Sequence, residues 1–315
     1  MNKLETRDNI VPSKLPLLLS NMNKVLVGQS KAVFLASTAF LAGGHVLLED
    51  VPGVGKTLLA KSLAKSVSAD FKRIQCTPDL LPSDVSGINV FDQRSSSFAF
   101  EPGPLFSNIV LADEINRATP RTQSSLLEAM EEGQVTVDGE TRKLPDLFFV
   151  ISTQNPVEYH GTFPLPEAQL DRFMLSLQLG YPNAQEEIEI LDKTLQDGAF
   201  EVQPVLTIQE VLDARKLVRE VRVDASIKKY IVEIAAATRN DSEIALGVSP
   251  RGSQLLMRAS QSAAFLSGRN FVKPEDTKLL APFVFGHRVI PKQRGNKVSH
   301  SKLIARILET VPVPV

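Results

Sequence analysis

Gly53, Gly55, Lys56 and Thr57 fall between an apolar run and a helical pattern. That arrangement suits phosphate chemistry. Two glycines let successive backbone N–H groups turn toward one point. A helix starting there adds its positive end. Lys56 would bring a cation to the outer phosphates of a nucleotide, and the Thr57 hydroxyl would take Mg²⁺. Strand, glycine turn, Lys-Thr and helix, in this order, make the phosphate-loop pattern. The usual spacing wants a glycine at position 50, where this chain has Asp50. A carboxylate beside polyphosphate is expected to point away.

A second set of residues complements the first. Residues 108–114 read as an apolar strand ending in Asp113 and Glu114. In a phosphate-loop enzyme the first acid orients Mg²⁺, and its neighbour can activate the attacking water as general base. Two acids where a strand meets a loop are often simply solvated, but the upstream phosphate loop favours the chemical reading. Asn155 follows an apolar run at 147–151. It either hydrogen-bonds the attacking water or the γ-phosphate, or makes a turn before Pro156. Arg172, in Leu170-Asp171-Arg172-Phe173, is either a rim ion pair or a finger reaching a neighbouring subunit's phosphate. Taken alone, the rim pair is favoured. Arg251 follows Ser249-Pro250 at a helix start, where a lone arginine is usually solvated. Val27-Gly28 is either a backbone site for a base ring or a plain helix-start turn.

The elements that must hold these residues are legible in outline. Apolar runs predict strands at 46–48, 71–76, 108–114, 147–151 and 174–179. The last alternates apolar and polar residues, as at a sheet edge or on a half-covered face. A helix is expected over Ser30–Ala42, stopped by Gly43-Gly44. Another starts at Thr119-Pro120, threonine at the cap and proline at the first position. Asp138-Gly139 marks a hairpin at 134–142, and 87–100 reads as a hairpin or short insert. From Tyr181-Pro182 onward helical periods dominate and no further strand runs are seen. Thr207 and Glu210 form a capping box, Asp224 caps a further helix, and Lys273 is a poor cap for the next. The expected division is 1–181 and 182–315.

Composition bounds the partners. A chain of 315 residues, 43% hydrophobic, can bury a sizeable core and form two domains. A net charge of −1 leaves no overall nucleic-acid footprint. The single cysteine, Cys76, rules out an internal disulfide and fits a reducing compartment. The polar start, 1–10, is unlike a secretory signal, so a cytoplasmic location is expected. The apolar stretch at 33–48 is shorter than the ~20 residues a span needs, so no direct membrane insertion is expected. No Asn-Lys-x-Asp motif is present to read a guanine base.

Taken together, these motifs resemble the MoxR-type family of AAA+ ATPases, in its helix-2-insert group. The likeness covers about 25–289 and rests on Val27-Gly28-Gln29, on 48–57 with Asp50 included, on 76–84, on 112–118 and on Thr153-Gln154-Asn155-Pro156. Cys76 and Lys273 are less typical. The resemblance implies an α/β fold: a P-loop three-layer αβα domain with a parallel five-stranded sheet, then a small all-α lid. It implies that Gly28, Gly53, Val54, Gly55, Lys56, Thr57, Leu58 and Arg251 contact ATP, and that Thr57 and Asp113 hold Mg²⁺. It implies Glu114 as base, Asn155 as sensor of the γ-phosphate, Arg172 as a finger acting in trans and Arg251 as a second sensor acting in cis. The 87–100 segment resembles the insert in helix 2, and 134–142 the hairpin before the first sensor. The family implies rings, commonly homo-hexamers, that use ATP to remodel or mature partner proteins, often with von Willebrand factor A domains. A nucleotide-gated interaction module and the motor subunit of a metal chelatase-like complex are the alternatives.

Overall fold

The computed structural model describes residues 7–155, 161–195, 202–292 and 300–314. It opens with α1 (Arg7–Val25) and α2 (Ser30–Ala42). The first helix has no counterpart in the expectations above, because Pro12 and Pro16 lie inside it. Val11, Leu15, Leu18 and Met22 recur at helical spacing and are buried, so packing overrides the local penalty. The second helix ends as expected: Gly43 takes the left-handed conformation, and the Gly43 and Gly44 N–H groups return to Phe40 and Ala39 carbonyls.

Next come β1 (Val46–Glu49), α3 (Lys56–Ser66) and β2 (Phe71–Gln75). A short helix, α4 (Pro82–Ser86), precedes a hairpin of β3 (Gly87–Asp92) and β4 (Ser97–Pro102). Then follow β5 (Ile109–Asp113), α5 (Pro120–Glu132), a second hairpin of β6 (Gln134–Val137) and β7 (Glu140–Lys143), and β8 (Phe149–Gln154). Thr119 caps α5, and Asp138 and Gly139 both take positive φ in the second hairpin's turn. The two hairpins lie side by side: Asn89 Nδ2 donates to Asp138 Oδ2 at 2.8 Å, and the Arg142 guanidinium lies 4.1 Å from the Phe100 ring centre.

A one-turn helix, α6 (Glu167–Leu170), leads to β9 (Leu175–Leu177). The main sheet is five-stranded and parallel, in the order β2-β5-β8-β1-β9. β9 is at the edge, as its alternation suggests, yet all of it is buried. Arg288, from farther along the chain, covers its start by donating to the carbonyls of Phe173 and Met174. Parallel strands put every loop after a C-terminal strand end on one edge, where ligands of such sheets bind.

The rest is mainly helical: α7 (Ala184–Leu195), α8 (Ile208–Glu220), α9 (Ala225–Asn240), α10 (Pro250–Leu266), α11 (Pro274–Phe285) and α12 (His300–Thr310). The helices start where expected at Thr207, Asp224 and Ser249, whose side chains accept from backbone N–H groups. At Lys273 the cap comes from ahead, since Asp276 accepts the Lys273 N–H at 2.8 Å. One feature went unforeseen: β10 (Ile244–Leu246) and β11 (Ile290–Pro291) form a small antiparallel ladder. Strands of three and two residues are too short to register as periodicity. One hydrophobic cluster runs from Leu18, Phe40 and Leu48 into Leu256, Ala263 and Phe285, so the lid packs on the core through a shared interior.

Candidate active site

The strand register assembles the phosphate end of the site. Glu49 pairs with Gln154, and the Asp50 N–H donates to the Gln154 carbonyl at 3.2 Å. This sets the turn 50–55 beside the end of β8 and brings the buried Asn155 alongside it. Gly53 and Gly55 have φ of +88° and +98°, conformations that a side chain would strain. Lys56 begins α3, is buried, and donates from Nζ to the Asp50 carbonyl at 2.9 Å. Thr57 sits in the first turn of the same helix, with Val54 half-buried before it and Leu58 exposed after it.

Asp50 itself faces the other way. Its carboxylate accepts the N–H groups of Leu179 and Gly180, the latter at 3.2 Å. Burial raises the pKa of this carboxyl, and those two bonds oppose the rise. The acid therefore ties the turn to the end of the core.

Asp113 and Glu114 are linked by a residue that the sequence reading left without a role. Thr153 donates from Oγ1 to Asp113 Oδ1 at 2.6 Å and accepts the Glu114 N–H at 2.8 Å. Only the parallel pairing of β5 with β8 brings that hydroxyl across, so no local pattern announces it. Arg73 holds the other oxygen of Asp113, at 2.6 Å from Nη2. Glu114 is in the left-handed conformation, φ +57°, a cost of order 1–3 kcal/mol tolerated mostly at functional positions. Gln75 Nε2 and Arg117 Nη1 hold its carboxylate at 3.1 and 3.0 Å. Cys76, whose N–H bonds the Asp113 carbonyl, is buried under these acids, and burial pushes its thiol up to about 12. It is therefore a neutral filler here.

Among the described residues, no three His, Cys, Asp or Glu side chains gather as a ready metal site. A hydroxyl and a carboxylate, as Thr57 and Asp113 offer, are donor types that a Mg²⁺ ion retaining waters takes, although in this structure both Asp113 oxygens already accept from Thr153 and Arg73.

The Val27-Gly28 turn lies against the loop. Leu26 Cδ2 is 3.7 Å from where a Cβ on Gly55 would stand. Gly28 has φ +73°, and a Cβ there would run into the Glu186 carboxyl of α7. Lys193 of the same helix donates to the Lys24 carbonyl at 3.1 Å. The Val27-Gly28 turn is thus bounded by the start of the helical region.

Arg172 and Arg251 are elsewhere. Arg172 Nε is 2.9 Å from Glu131 Oε2, and Arg251 Nη1 bonds the other oxygen of Glu131. Glu131 lies at the end of α5, beside Met130, whose carbonyl is 3.0 Å from His45 Nε2. His45 immediately precedes β1, and its carbonyl takes the Met174 N–H at 2.8 Å. All of this surrounds the N-terminal end of β1, whereas Lys56 lies beyond its C-terminal end. A four-residue strand spans roughly 13 Å at about 3.3 Å per residue. The lid docks on α2 and β9 and carries Arg251 to that N-terminal end, beside Glu131 and Arg172.

A five-stranded parallel sheet with a phosphate loop after one strand, two acids after a second and an asparagine after a third, followed by a helical lid, defines a P-loop ATPase of the AAA+ class. The comparisons narrow the class. Residues 45–175 match the family model described as ATPase family associated with various cellular activities (AAA), and 236–307 match the AAA lid domain. The chain is 38% identical to Chaperone MoxR1 of Mycobacterium tuberculosis over 304 residues, 93% of this chain and 80% of that one. It is 51% identical to the protein YeaC of Bacillus subtilis over 306 residues, 95% of this chain and 96% of that one. A crystal structure of an ATPase candidate from Cytophaga hutchinsonii superposes with a TM-score of 0.91 at 38% identity, covering 99% of this chain and 98% of that one. The protein belongs to the MoxR-type AAA+ ATPase family.

Proposed function

We propose that this chain hydrolyses ATP in a ring of identical subunits, a hexamer by family likeness, and uses the cycle to remodel or mature partner proteins. The carrying observation is the Asp113–Thr153–Glu114 linkage beside the Lys56 loop, with the candidate arginines at the opposite end of β1. One copy has acids and cation for a triphosphate; the arginines described beside those acids, Arg73 and Arg117, are paired with Asp113 and Glu114, and Arg172 and Arg251 stand at the other end of β1, which leaves the finger to a neighbour. Phosphoryl transfer depends on positioning and charge neutralisation, and an arginine supplied in trans is worth about 10³–10⁵ in rate.

The roles follow from position. Gly53, Val54, Gly55, Lys56, Thr57 and Leu58 would cradle the phosphates, with Gly28 beside the base. Thr57 and Asp113 would hold Mg²⁺, which when bound neutralises charge on the β- and γ-phosphates. Glu114 would take the proton of the attacking water, and Asn155 would orient that water or the γ-phosphate. Arg172 and Arg251 would meet the neighbour's nucleotide. The units would be 1–181, with inserts at 87–100 and 134–142, and a lid at 182–315.

The name of the mycobacterial relative supports protein remodelling, and a partner with a von Willebrand factor A domain is the family's expectation. No helix among the described residues is long and apolar enough to cross a membrane; cytoplasmic work is part of the proposal. The test is steady-state ATP hydrolysis against protein concentration. Specific activity should rise as copies assemble and collapse in Glu114→Gln. Turnover unaffected by that substitution would remove Glu114 as the base.

A second reading has its own support. The Asp50 carboxylate joins the phosphate loop to Leu179 and Gly180, so binding alone could shift the lid. Glu114→Gln, which should bind without turnover, decides between them by whether it still supports the partner.

A further inference from the structure

Glu131 has no part in the roles assigned above, yet it organises both arginines. One oxygen pairs with Arg172 Nε at 2.9 Å and the other with Arg251 Nη1. Arg172 comes from the segment entering β9, and Arg251 from the first turn of α10 in the lid. The set continues inward. Arg251 Nε is 3.9 Å from Asp171 Oδ2, and Asp171 Oδ1 is 2.6 Å from Arg288 Nε. The Arg288 side chain is only 2% exposed, and it also donates to the carbonyls of Asp171 and Phe173. One end of the chain of charges is thus anchored in the interior and the other is open. The side chains of Glu131, Arg172 and Arg251 are 30%, 26% and 43% exposed, so a molecule packed on this edge could touch them.

Two guanidiniums brought together repel each other unless an anion lies between. Surface arginines without a partner also spread over many rotamers, and that freedom must be given up when they engage a phosphate. A single carboxylate with one oxygen for each arginine removes both costs in advance. Arg251 also holds the Glu131 carboxyl below its usual pKa, so the anion is present throughout the neutral range.

We propose that Glu131 is a positioning residue for catalysis between copies: it sets Arg172 and Arg251 side by side so that one neighbouring copy's triphosphate meets them as a pair. This rests on the reading that these arginines act in trans. Glu131 touches no nucleotide itself. Because one arginine belongs to the core and the other to the lid, the same carboxylate makes the neighbour's reaction depend on this subunit's lid being docked.

Mixed assemblies separate the two claims. Chains carrying Arg172→Ala keep an intact phosphate site and lack a finger. Chains carrying Glu114→Gln keep the arginines and lack the base. Each alone should be nearly inactive, and mixing them should restore hydrolysis if arginines act across copies. Chains carrying both Glu114→Gln and Glu131→Gln should then restore it at least about tenfold less well, as a fall in kcat with KM for ATP little changed, out of the roughly 10³–10⁵ that a trans arginine supplies. A melting temperature and ATP affinity equal to those of the Glu114→Gln chain would exclude misfolding as the cause. If the double variant misfolds, Glu131→Asp in its place keeps the charge and should restore part of the activity. Equal restoration with and without Glu131 overturns the proposal. No restoration in the first mixture overturns the trans reading, and this proposal with it.

Discussion

The ammonium of Lys56 rests on the carbonyl of Asp50, 2.9 Å away, while the Asp50 carboxylate turns to the backbone of Leu179 and Gly180. One residue therefore supports the Lys56 ammonium at one end and the exit from the core at the other. A glycine at position 50 could do only the first.

Asp50→Ala should leave the Leu179 and Gly180 N–H groups without their acceptor. An unsatisfied buried donor costs about 1–3 kcal/mol, so the unfolding midpoint in urea should fall accordingly. ATP affinity should change much less, because the loop glycines and Lys56 remain. A large loss of affinity with unchanged stability would contradict this division of labour.

Thr153→Val should cost both stability and rate. The hydroxyl donates to Asp113 and accepts from Glu114, and valine keeps the shape without either bond. We expect a loss of roughly 1–3 kcal/mol in stability and a fall in kcat, since the left-handed Glu114 would lose its backbone tether. Single-turnover hydrolysis, alongside nucleotide binding, separates a misplaced base from a lost ligand.

Lys56→Ala should abolish measurable ATP binding, whereas Glu114→Gln should retain binding and lose turnover by about 10²–10⁴, the usual worth of a general base. Equilibrium binding of a fluorescent ATP analogue, set beside hydrolysis, reads both. Weak binding by the glutamine variant would argue that the Gln75 and Arg117 contacts to Glu114 shape the pocket itself.

His45 gives the fold an acid-sensitive point. Its Nδ1 accepts the Val150 N–H at 3.0 Å, so the ring is neutral with its proton on Nε2 toward the Met130 carbonyl. Burial lowers its pKa from 6.5 to about 4, with the Met130 bond opposing and Arg215 adding to the drop. The unfolded chain binds a proton in that window which the folded ring refuses. Stability is therefore fully present above pH 6.5 and falls toward pH 4, by roughly 3 kcal/mol. Urea unfolding of His45→Gln should show lower stability at neutral pH but a smaller slope between those values. An unchanged slope would assign the acid sensitivity elsewhere.

Much of the molecule was readable along the chain because its signals are local. Gly53, Gly55 and Lys56 announce a loop by conformation and charge, Asp138-Gly139 a hairpin, and Thr207, Asp224 and Ser249 helix starts. Each depends on neighbours a few positions away. What the sequence left open was set by non-local packing: α1 forms despite Pro12 and Pro16 because Leu15, Leu18 and Met22 find a core to bury in. Thr153 reaches Asp113 only through the β5–β8 pairing. The alternation at 174–179 left a sheet edge and a half-covered face open; the strand is at the edge and fully buried, with the lid packed on it.

The chain by itself determined the phosphate-loop pattern, the acid pair at the end of β5 and the asparagine after β8, since residue type and short spacing suffice for such signals. Tertiary structure alone decided which edge of the sheet each group occupies. Arg251 stands beside Arg172 because the lid docks through an apolar surface shared with α2 and β9. The direction of such docking depends on the summed burial of distant side chains, which no window along the sequence contains.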